Sequence, residues 1–313
     1  MRITGSWVAI PTPFKDTGTV NFNAFKELID FHKKYGTDGL LVLGSAGEAS
    51  MLTKKERQEI IEFVSDYSRD KIPILVGTTG LNTLETIIMT KFAKKCGVKA
   101  VVMIVPPYIR PSQEDIYNFF SEVATAVDIP ISIYNNPTRV GVNIEPETSI
   151  RLSKIPNIVA LKEAIPDVGQ LVRIKREVGN NLDILTCDSP AFSIILPNLA
   201  LDGSGVTSIT GNLAPEEFAQ LSKPWKNFDD VTRSRKLFFK YYELMQICYS
   251  ATNPIVIKAG LNILGLPGGK PRLPLQELNR EMTSKLKEVM ENLNILCKYR
   301  INSKKYLYKK LLK

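Results

Sequence analysis

Lys162 follows a run of four apolar residues, Ile158 to Leu161, and its placement suggests chemistry. Such a run predicts a strand that is buried on both faces, as strands of parallel sheets are. A lysine at the end of a buried strand loses the water around its ammonium, which costs stability unless a partner compensates. Desolvation lowers the pKa of the amine from about 10.4, and a neutral amine can attack a ketone to form a Schiff base. The alternative is a lysine whose ammonium simply reaches water.

An amine that attacks an α-keto acid needs donors for the carboxylate and groups that move protons. Tyr134 ends another predicted strand and could pass protons through its phenol, with Ser45 and Tyr108 extending a relay. The segment Gly44–Gly47 could aim successive backbone N–H groups at a carboxylate. Arg139 offers a planar fork for a second carboxylate. Each feature also has an ordinary structural explanation, so the prediction depends on their joint placement at strand ends.

The elements that must position these residues alternate along the chain, with short β-branched runs followed by amphipathic stretches. The predicted strands are Trp7–Ile10, Gly39–Leu43, Pro73–Val76, Ala100–Val105, Pro130–Tyr134, Ile158–Lys162, Leu182–Thr186 and Gly205–Ile209. The predicted helices between them are Asn23–Lys34, Lys54–Tyr67, Thr83–Lys95, Gln113–Ala126, Pro146–Leu152, Val168–Val178 and Pro190–Leu199. The pattern then becomes helical, at Pro215–Leu221, Asp229–Ile247, Asn253–Leu264 and Leu275–Leu293.

This order predicts an α/β protein, a closed (β/α)₈ TIM barrel with a C-terminal helical appendage. In such a barrel the polar strand ends meet in one cavity, and Tyr134 and Lys162 lie on neighbouring strands. A doubly wound sheet is the alternative, but no GxGxxG follows a predicted strand. We predict a catalytic barrel over residues 1–225, a helical region over 226–295 and a basic tail over 296–313.

Composition and charge favour an ordinary globular enzyme, with 44% hydrophobic and 23% charged residues. The net charge is +9, but seven basic residues and no acidic ones lie within residues 298–313, and the remainder carries 34 basic and 32 acidic residues. A nucleic-acid partner is therefore not expected, because its binding site would be basic on the folded body. The tail is expected to be a solvated extension or a short amphipathic helix.

No apolar run approaches the roughly 18 residues of a membrane-spanning helix, and the N-terminus lacks the apolar region of a signal peptide. We therefore expect no membrane association and a cytoplasmic protein. The four cysteines, Cys96, Cys187, Cys248 and Cys297, are scattered without a CxxC spacing, so we expect neither disulfides nor a zinc site. The proposed chemistry requires no cofactor or metal.

Six motifs carry a resemblance to a known family. They are Thr12-Pro13-Phe14, Gly44-Ser45-Ala46-Gly47-Glu48, Tyr108-Ile109-Arg110-Pro111-Ser112-Gln113-Glu114, Tyr134-Asn135-Asn136-Pro137-Thr138-Arg139-Val140-Gly141, Leu161-Lys162-Glu163-Ala164, and Asn253-Pro254 with Arg272-Leu273-Pro274-Leu275. From about Ile3 to about Leu293 the chain resembles the dihydrodipicolinate synthase/N-acetylneuraminate lyase family of class I pyruvate-dependent aldolases, which are (β/α)₈ barrels.

The resemblance implies that Lys162 forms the Schiff base with pyruvate and that Tyr134 shuttles protons. It also implies that Ser45 links Tyr134 to Tyr108, which reaches in from a neighbouring subunit of a homotetramer built as a dimer of dimers. Arg139 is typical of the synthase branch, where it holds the carboxylate of L-aspartate semialdehyde. The implied reaction is the 4-hydroxy-tetrahydrodipicolinate synthase step of diaminopimelate and lysine biosynthesis, with pyruvate and an aldehyde as partners.

Departures from the synthase pattern keep alternatives open. Ala46 stands where a threonine is usual, which leaves only its backbone N–H for the pyruvate carboxylate. Cys187 stands where a glycine is usual, and Ile109 stands where an asparagine is common. The candidate substrate-binding residues are Ala46, Arg139, Cys187 and Thr207. These changes favour, as the main alternative, an aldolase that cleaves 2-keto-3-deoxygluconate or a similar sugar acid. A catalytically silent barrel that binds a keto acid is the second alternative.

The family's site for feedback inhibition by lysine is also altered. Regulated relatives tend to carry histidines at the positions of Lys54 and Arg57, asparagine at Leu81 and tyrosine at Pro107, whereas Glu85 keeps its type. Two fixed cations would repel a lysine ligand, and Leu81 and Pro107 offer it no side-chain hydrogen bonds. We therefore predict an enzyme that is insensitive to lysine.

Overall fold

Eight parallel strands close into a single barrel, in which each strand pairs with the next and the eighth pairs with the first. The computed structural model describes residues 2–301. The strands are β1 (Gly5–Ala9), β2 (Gly39–Val42), β3 (Ile74–Gly77), β4 (Ala100–Ile104), β5 (Ile131–Asn135), β6 (Ile158–Glu163), β7 (Asp183–Cys187) and β8 (Gly205–Ser208). All eight predicted strands are present, and the TIM-barrel prediction is confirmed.

Helices follow the strands and cover the outside of the barrel. Those of the barrel are α1 (Phe22–Lys34), α2 (Lys54–Ser68), α3 (Thr83–Lys95), α4 (Gln113–Ala126), α5 (Pro137–Val140), α6 (Pro146–Leu152), α7 (Val168–Val178), α8 (Ile195–Ala200) and α9 (Pro215–Leu221). The appendage contains α10 (Phe228–Lys240), α11 (Tyr242–Cys248), α12 (Ile255–Ile263), α13 (Arg280–Asn292) and α14 (Ile295–Tyr299). Local sequence explains many helix starts; for example, Thr53 and Glu56 form a reciprocal capping box at α2.

Four predicted helices have different limits in the structure. The helix predicted from Pro190 begins only at Ile195, because the intervening residues form a turn in which Ser193 has a φ of 50°. The helix predicted over Asp229–Ile247 is two helices, since Tyr241 has a φ of −98° and a ψ of 8°. The last long helix begins at Arg280 rather than Leu275, because the Asn279 side chain caps the Met282 N–H.

The fourth is the helix predicted over Asn253–Leu264, which begins at Ile255, after Pro254. A short helix that the sequence analysis did not predict, α5, directly follows β5. Its sequence is Pro-Thr-Arg-Val, and proline at its first position is favourable because that position needs no N–H donor. This four-residue helix carries Arg139, so it becomes relevant to the site described below.

The C-terminal helices share an apolar core with the barrel. A single cluster of buried side chains joins Trp7 of β1 and Phe218 of α9 to Leu244 of α11 and Met290 of α13. Tyr299 of α14 is also buried, so the chain up to Ile301 packs on the body of the protein. The part of the predicted basic tail beyond Ile301 lies outside the described residues.

Two further observations concern membrane-spanning helices and the cysteines. None of the helices between residues 2 and 301 is long and apolar enough to cross a membrane. Cys96, Cys187, Cys248 and Cys297 are free thiols.

Candidate active site

The carboxyl ends of the strands surround a cavity of about 340 Å³. In the barrel register Tyr134 of β5 is the direct partner of Lys162 of β6, so their side chains point to the same interior space. Six predicted site residues line this cavity: Ser45, Tyr134, Arg139, Lys162, Cys187 and Thr207. Of the remaining two, Ala46 is buried beside Ser45, and Tyr108 lies outside the cavity.

Lys162 has the properties of a nucleophile. Its side chain is 7% exposed, and its Nζ lies 4.0 Å from the centre of the Tyr134 ring. This amine forms neither an ion pair nor a hydrogen bond with any residue that the structure describes. Burial lowers the pKa of its amine, and the positive charge of Arg139 acts in the same direction, whereas Asp188 opposes the shift. A fraction of neutral amine is therefore available at lower pH than for a solvated lysine.

Tyr134 remains a neutral phenol beside this amine. Burial raises the pKa of its hydroxyl well above the ordinary value of 10. The hydroxyl oxygen accepts a hydrogen bond from the Asn136 side-chain amide at 2.7 Å, and Thr138 in turn donates to Asn136 at 2.6 Å. The Asn136 amide occupies an acceptor position of the Tyr134 oxygen and leaves its O–H as a donor, which lies beside the Cys187 sulfur at the cavity, as a proton shuttle requires.

The loop from Gly44 to Glu48 presents backbone donors at the end of β2. Among the described residues no acceptor takes a hydrogen bond from the N–H of Ser45 or Ala46, whereas the N–H groups of Gly47 and Ala49 bond back to the Gly44 carbonyl. Two adjacent free N–H groups suit a carboxylate. Glu48, in the left-handed region with a φ of 55°, ends the loop.

The predicted proton relay is incomplete within a single chain. The hydroxyl of Ser45 makes no hydrogen bond to the described residues, and Tyr108 is 97% exposed. Tyr108 also has a φ of 82°, a strained backbone conformation for a residue with a side chain. The role of Tyr108 in a neighbouring subunit stays a prediction.

Arg139 places a positive charge at the solvent-facing rim of the cavity. It lies on α5 and is exposed, and its guanidinium forms no hydrogen bond or ion pair with any residue between 2 and 301. A guanidinium without a protein partner at the rim of a cavity is free to form a bidentate contact with a carboxylate. The arrangement therefore offers two separate anion-binding positions, one at the Ser45–Ala46 backbone and one at Arg139.

Cys187 and Thr207 form another part of the cavity wall. The Cys187 sulfur lies 3.7 Å from the Thr207 hydroxyl, which also donates a long 3.5 Å hydrogen bond to the Thr186 carbonyl. Burial raises the pKa of the Cys187 thiol, so the group beside Lys162 is neutral.

Sequence analysis missed a buried polar group beneath the cavity. Asp188, after β7, accepts hydrogen bonds from the Ser208 hydroxyl at 2.7 Å and from the Thr210 N–H at 2.9 Å. Tyr249, which also lines the cavity, donates to Asp188 at 2.5 Å. Asp188 stands at a polar strand end and so carried a signal, but Tyr249 comes from the helical appendage and carried none.

A second cavity, of about 710 Å³, adjoins the first and shares Ser45, Tyr134 and Arg139 with it. Its other walls include all five positions of the predicted lysine site: Lys54, Arg57, Leu81, Glu85 and Pro107. The Arg57 guanidinium donates to the Thr79 carbonyl at 2.9 Å. These positions are therefore close together and open toward the candidate active site.

No group of three or more His, Cys, Asp or Glu side chains within residues 2–301 is arranged to hold a metal ion. The site described above consists of protein groups whose chemistry is that of amines, phenols and hydrogen-bond donors.

The chain is similar to known proteins along most of its length. A model of the dihydrodipicolinate synthetase family matches residues 2–293. The 4-hydroxy-tetrahydrodipicolinate synthase of Thermodesulfovibrio yellowstonii is 38% identical over 292 residues, which cover 93% of this chain and 99% of that protein. The crystal structure of dihydrodipicolinate synthase from Aquifex aeolicus matches with a TM-score of 0.87 and 36% identity, over 94% of this chain and 99% of the other.

A third relative was solved with a ligand. The chloride-inhibited dihydrodipicolinate synthase from Acinetobacter baumannii, in complex with pyruvate, matches with a TM-score of 0.85 and 31% identity, over 94% of this chain and 99% of that one. The family resemblance seen in the sequence motifs is thereby confirmed. The chain belongs to the dihydrodipicolinate synthetase family.

Proposed function

We propose that this protein is a 4-hydroxy-tetrahydrodipicolinate synthase, which condenses pyruvate with L-aspartate semialdehyde. The observation that carries the proposal is the joint presence, in one cavity, of the unpaired amine of Lys162, the neutral phenol of Tyr134 and the unpaired guanidinium of Arg139. Relatives that are 35–38% identical over nearly their whole length carry this name, which supports the choice of acceptor.

The first half of the reaction attaches pyruvate. The carboxylate binds the N–H groups of Ser45 and Ala46, and the neutral Lys162 amine attacks the ketone carbon to give a carbinolamine. Tyr134 donates its proton to the departing hydroxyl, which leaves as water, and the nitrogen–carbon double bond of the Schiff base remains. The Tyr134 phenolate that remains then takes a proton from the methyl group, which restores the phenol and converts the Schiff base into a nucleophilic enamine.

The second half joins the aldehyde. Arg139 binds the carboxylate of L-aspartate semialdehyde, and the enamine carbon attacks the aldehyde carbon to form the new carbon–carbon bond, while the aldehyde oxygen gains a proton. The amino group of the former semialdehyde then attacks the Schiff-base carbon. This closes the ring, breaks the bond to Lys162 and restores the free amine.

Two measurements test the proposal. Borohydride reduction in the presence of pyruvate should leave a stable mass adduct on Lys162. A coupled assay with pyruvate and L-aspartate semialdehyde, followed as NADPH oxidation by added dihydrodipicolinate reductase, should show turnover on the order of 1–1000 per second.

The two results together separate the alternatives. An adduct without turnover would mean that the acceptor is wrong, and sugar-acid aldehydes such as those released from 2-keto-3-deoxygluconate would be tested next. Absence of both adduct and turnover would favour a catalytically silent barrel.

We also propose that the active form is a homotetramer, a dimer of dimers. Tyr108 is almost fully exposed, and three apolar side chains from the same end of the barrel, Leu81, Leu84 and Ile109, are also exposed. Apolar groups clustered in this way favour an interface between subunits. Light scattering should therefore give four times the monomer mass, and a monomer that is fully active would contradict the proposal.

Two further expectations remain predictions. The charges of Lys54 and Arg57, with the apolar Leu81 and Pro107, lead us to propose that lysine does not inhibit. Initial rates at millimolar lysine should remain within about 20% of the rate without it, and a rate reduced by half would contradict this. The cytoplasmic location expected from the sequence also stays a prediction.

A further inference from the structure

Glu163 is a buried carboxylate that the proposed reaction does not use. It follows Lys162 directly, and because side chains alternate along a strand, Lys162 points into the cavity while Glu163 points outward toward the helices. Glu163 is fully buried, and burial raises the pKa of its carboxyl to about 7 although four hydrogen bonds oppose the shift. A desolvated carboxylate costs stability, so an apolar residue would pack here more favourably.

The donors around Glu163 are amides. The Asn135 side-chain N–H group donates to both carboxylate oxygens, at 3.0 and 3.1 Å, the Gln170 amide donates at 3.1 Å, and the Ala164 N–H donates at 2.8 Å. Asn135 and Glu163 are register partners on β5 and β6, just as Tyr134 and Lys162 are. An outer polar pair therefore lies directly behind the inner reactive pair.

N–H groups converge on both oxygens of Glu163, so these oxygens act as acceptors, and this arrangement matches the orientation of both amides. With its N–H group toward Glu163, Asn135 presents its carbonyl oxygen to the Ile144 N–H, at 3.0 Å. Gln170 likewise presents its carbonyl oxygen to the Asn143 side-chain amide, at 2.9 Å. Glu163 thus fixes the orientation of Asn135 and Gln170 together with Asn143, whose side-chain oxygen accepts from the Asn135 amide at 2.7 Å.

Asn143 and Ile144 belong to the segment that carries Arg139. This Arg139 segment, residues 137–145, contains α5 and the turn after it. It is also held by Gln113, whose amide donates to the Asn143 carbonyl at 2.8 Å. The Arg139 guanidinium has no partner among the described residues, so its position depends on how the segment is anchored.

We propose that Glu163 is a positioning residue for Arg139: through Asn135 and Gln170 it anchors the Arg139 segment and so places the guanidinium that receives the second substrate. The inference rests on the proposed function for the role of Arg139. It assigns to Glu163 no contact with pyruvate or with Lys162.

The test uses Glu163→Gln, which keeps the size of the side chain but places an N–H group against the donors of Asn135 and Gln170. Hydrogen–deuterium exchange over residues 136–145 should accelerate about tenfold, as expected for the loss of roughly one buried hydrogen bond. The KM for L-aspartate semialdehyde should rise by a similar factor. The rate of borohydride trapping of pyruvate on Lys162 should stay within twofold of the wild-type rate.

Other variants accompany it. Glu147→Gln is the matched control, because Glu147 is an exposed carboxylate on α6 that pairs with Arg173, and it should change none of these quantities. Asn143→Ala removes the link to the network from the other side, leaves Glu163 with Asn135 and Gln170, and should reproduce the faster exchange. If Glu163→Gln does not fold, Gln170→Leu decides the question, because it removes the link from Glu163 to Asn143 and leaves both of those residues in place.

Unchanged exchange over residues 136–145 would overturn the inference, and so would a loss of pyruvate trapping equal to the loss with the semialdehyde. The exchange measurement does not depend on the acceptor. If the wild-type protein trapped pyruvate without turning over the semialdehyde, the proposed function would fail, while faster exchange in the variant would still support the anchoring of the Arg139 segment.

Discussion

Two lysines of this barrel are almost completely buried, and their surroundings differ. Lys162, at the end of β6, is 7% exposed, and Lys258, on α12, is 1% exposed. The Lys258 Nζ lies 2.5 Å from a carboxylate oxygen of Glu48 and donates to the Lys270 carbonyl at 2.9 Å. Lys162 has no such partner within residues 2–301, and the Tyr134 ring is its nearest aromatic neighbour.

The difference shows that burial alone does not make a reactive lysine. Burial lowers the pKa of both amines, but for Lys258 the negative charge of Glu48 opposes the shift and keeps the ion pair together. Lys258 therefore holds the end of the Gly44–Glu48 loop against the helical appendage. Lys162 bears the cost of desolvation without an ion-pair partner, which leaves its amine free for a substrate.

Replacing Lys162 by methionine should have the largest effect. The variant keeps the apolar part of the side chain but loses the nucleophile, so the pyruvate adduct should disappear and turnover should fall by at least about 10³-fold. Its free energy of unfolding should not decrease, because a desolvated amine without a partner is removed. Mass spectrometry after borohydride and urea denaturation measure both quantities. A marked loss of stability would mean that Lys162 is structural.

Tyr134→Phe removes only the hydroxyl beside Lys162. We expect turnover to fall by about 10²–10⁴-fold, the usual contribution of a positioned proton donor, while the fold is retained. The coupled assay measures the loss, with circular dichroism as a control for folding. Turnover near the wild-type value would show that another group moves the proton.

The same methionine substitution at Lys258 should have the opposite pattern. It leaves the fully buried Glu48 without its cation, so the free energy of unfolding should decrease by about 3–5 kcal/mol, while the folded fraction still forms the pyruvate adduct. The double variant Lys258→Met/Glu48→Gln should recover most of that loss, because no buried charge remains. Urea denaturation of the three proteins compares these values; equal stability of all three would remove the distinction between the two lysines.

The smallest expected effect is the dependence of the rate of pyruvate trapping on pH. Only the neutral amine attacks a ketone, and its fraction rises as pH increases through the pKa of Lys162. Because burial lowers that pKa, the rate of pyruvate trapping should rise with pH and level off below the value of about 10.4 typical of a solvated lysine. Trapping rates measured between pH 6 and 10.5 test this. A rate that still rises steeply at pH 10.5 would indicate an unperturbed amine.

Much of the site could be predicted from the sequence, because it lies at strand ends. Lys162 directly follows a run of apolar residues and Tyr134 ends a predicted strand, and their partnership in the barrel follows from strand order alone. The partners of buried polar groups could not be predicted in this way. The helix limits near Pro190 and Tyr241 were also missed, since helical periodicity continues across residues whose backbone leaves the helical region.

The sequence by itself determined the order of strands and helices and the placement of reactive groups at the carboxyl ends of strands, because periodicity and strand-end residues are local properties. The tertiary structure alone decided which buried charge has a partner. Glu48 meets Lys258 and Arg272 of the appendage, Asp188 meets Tyr249, and Glu163 meets Asn135 and Gln170. Except for Glu163 and Gln170, these pairs come from distant parts of the chain, and the closed barrel and its packed helices bring them together. Two buried lysines of one chain can therefore differ, one forming an ion pair and the other keeping a reactive amine.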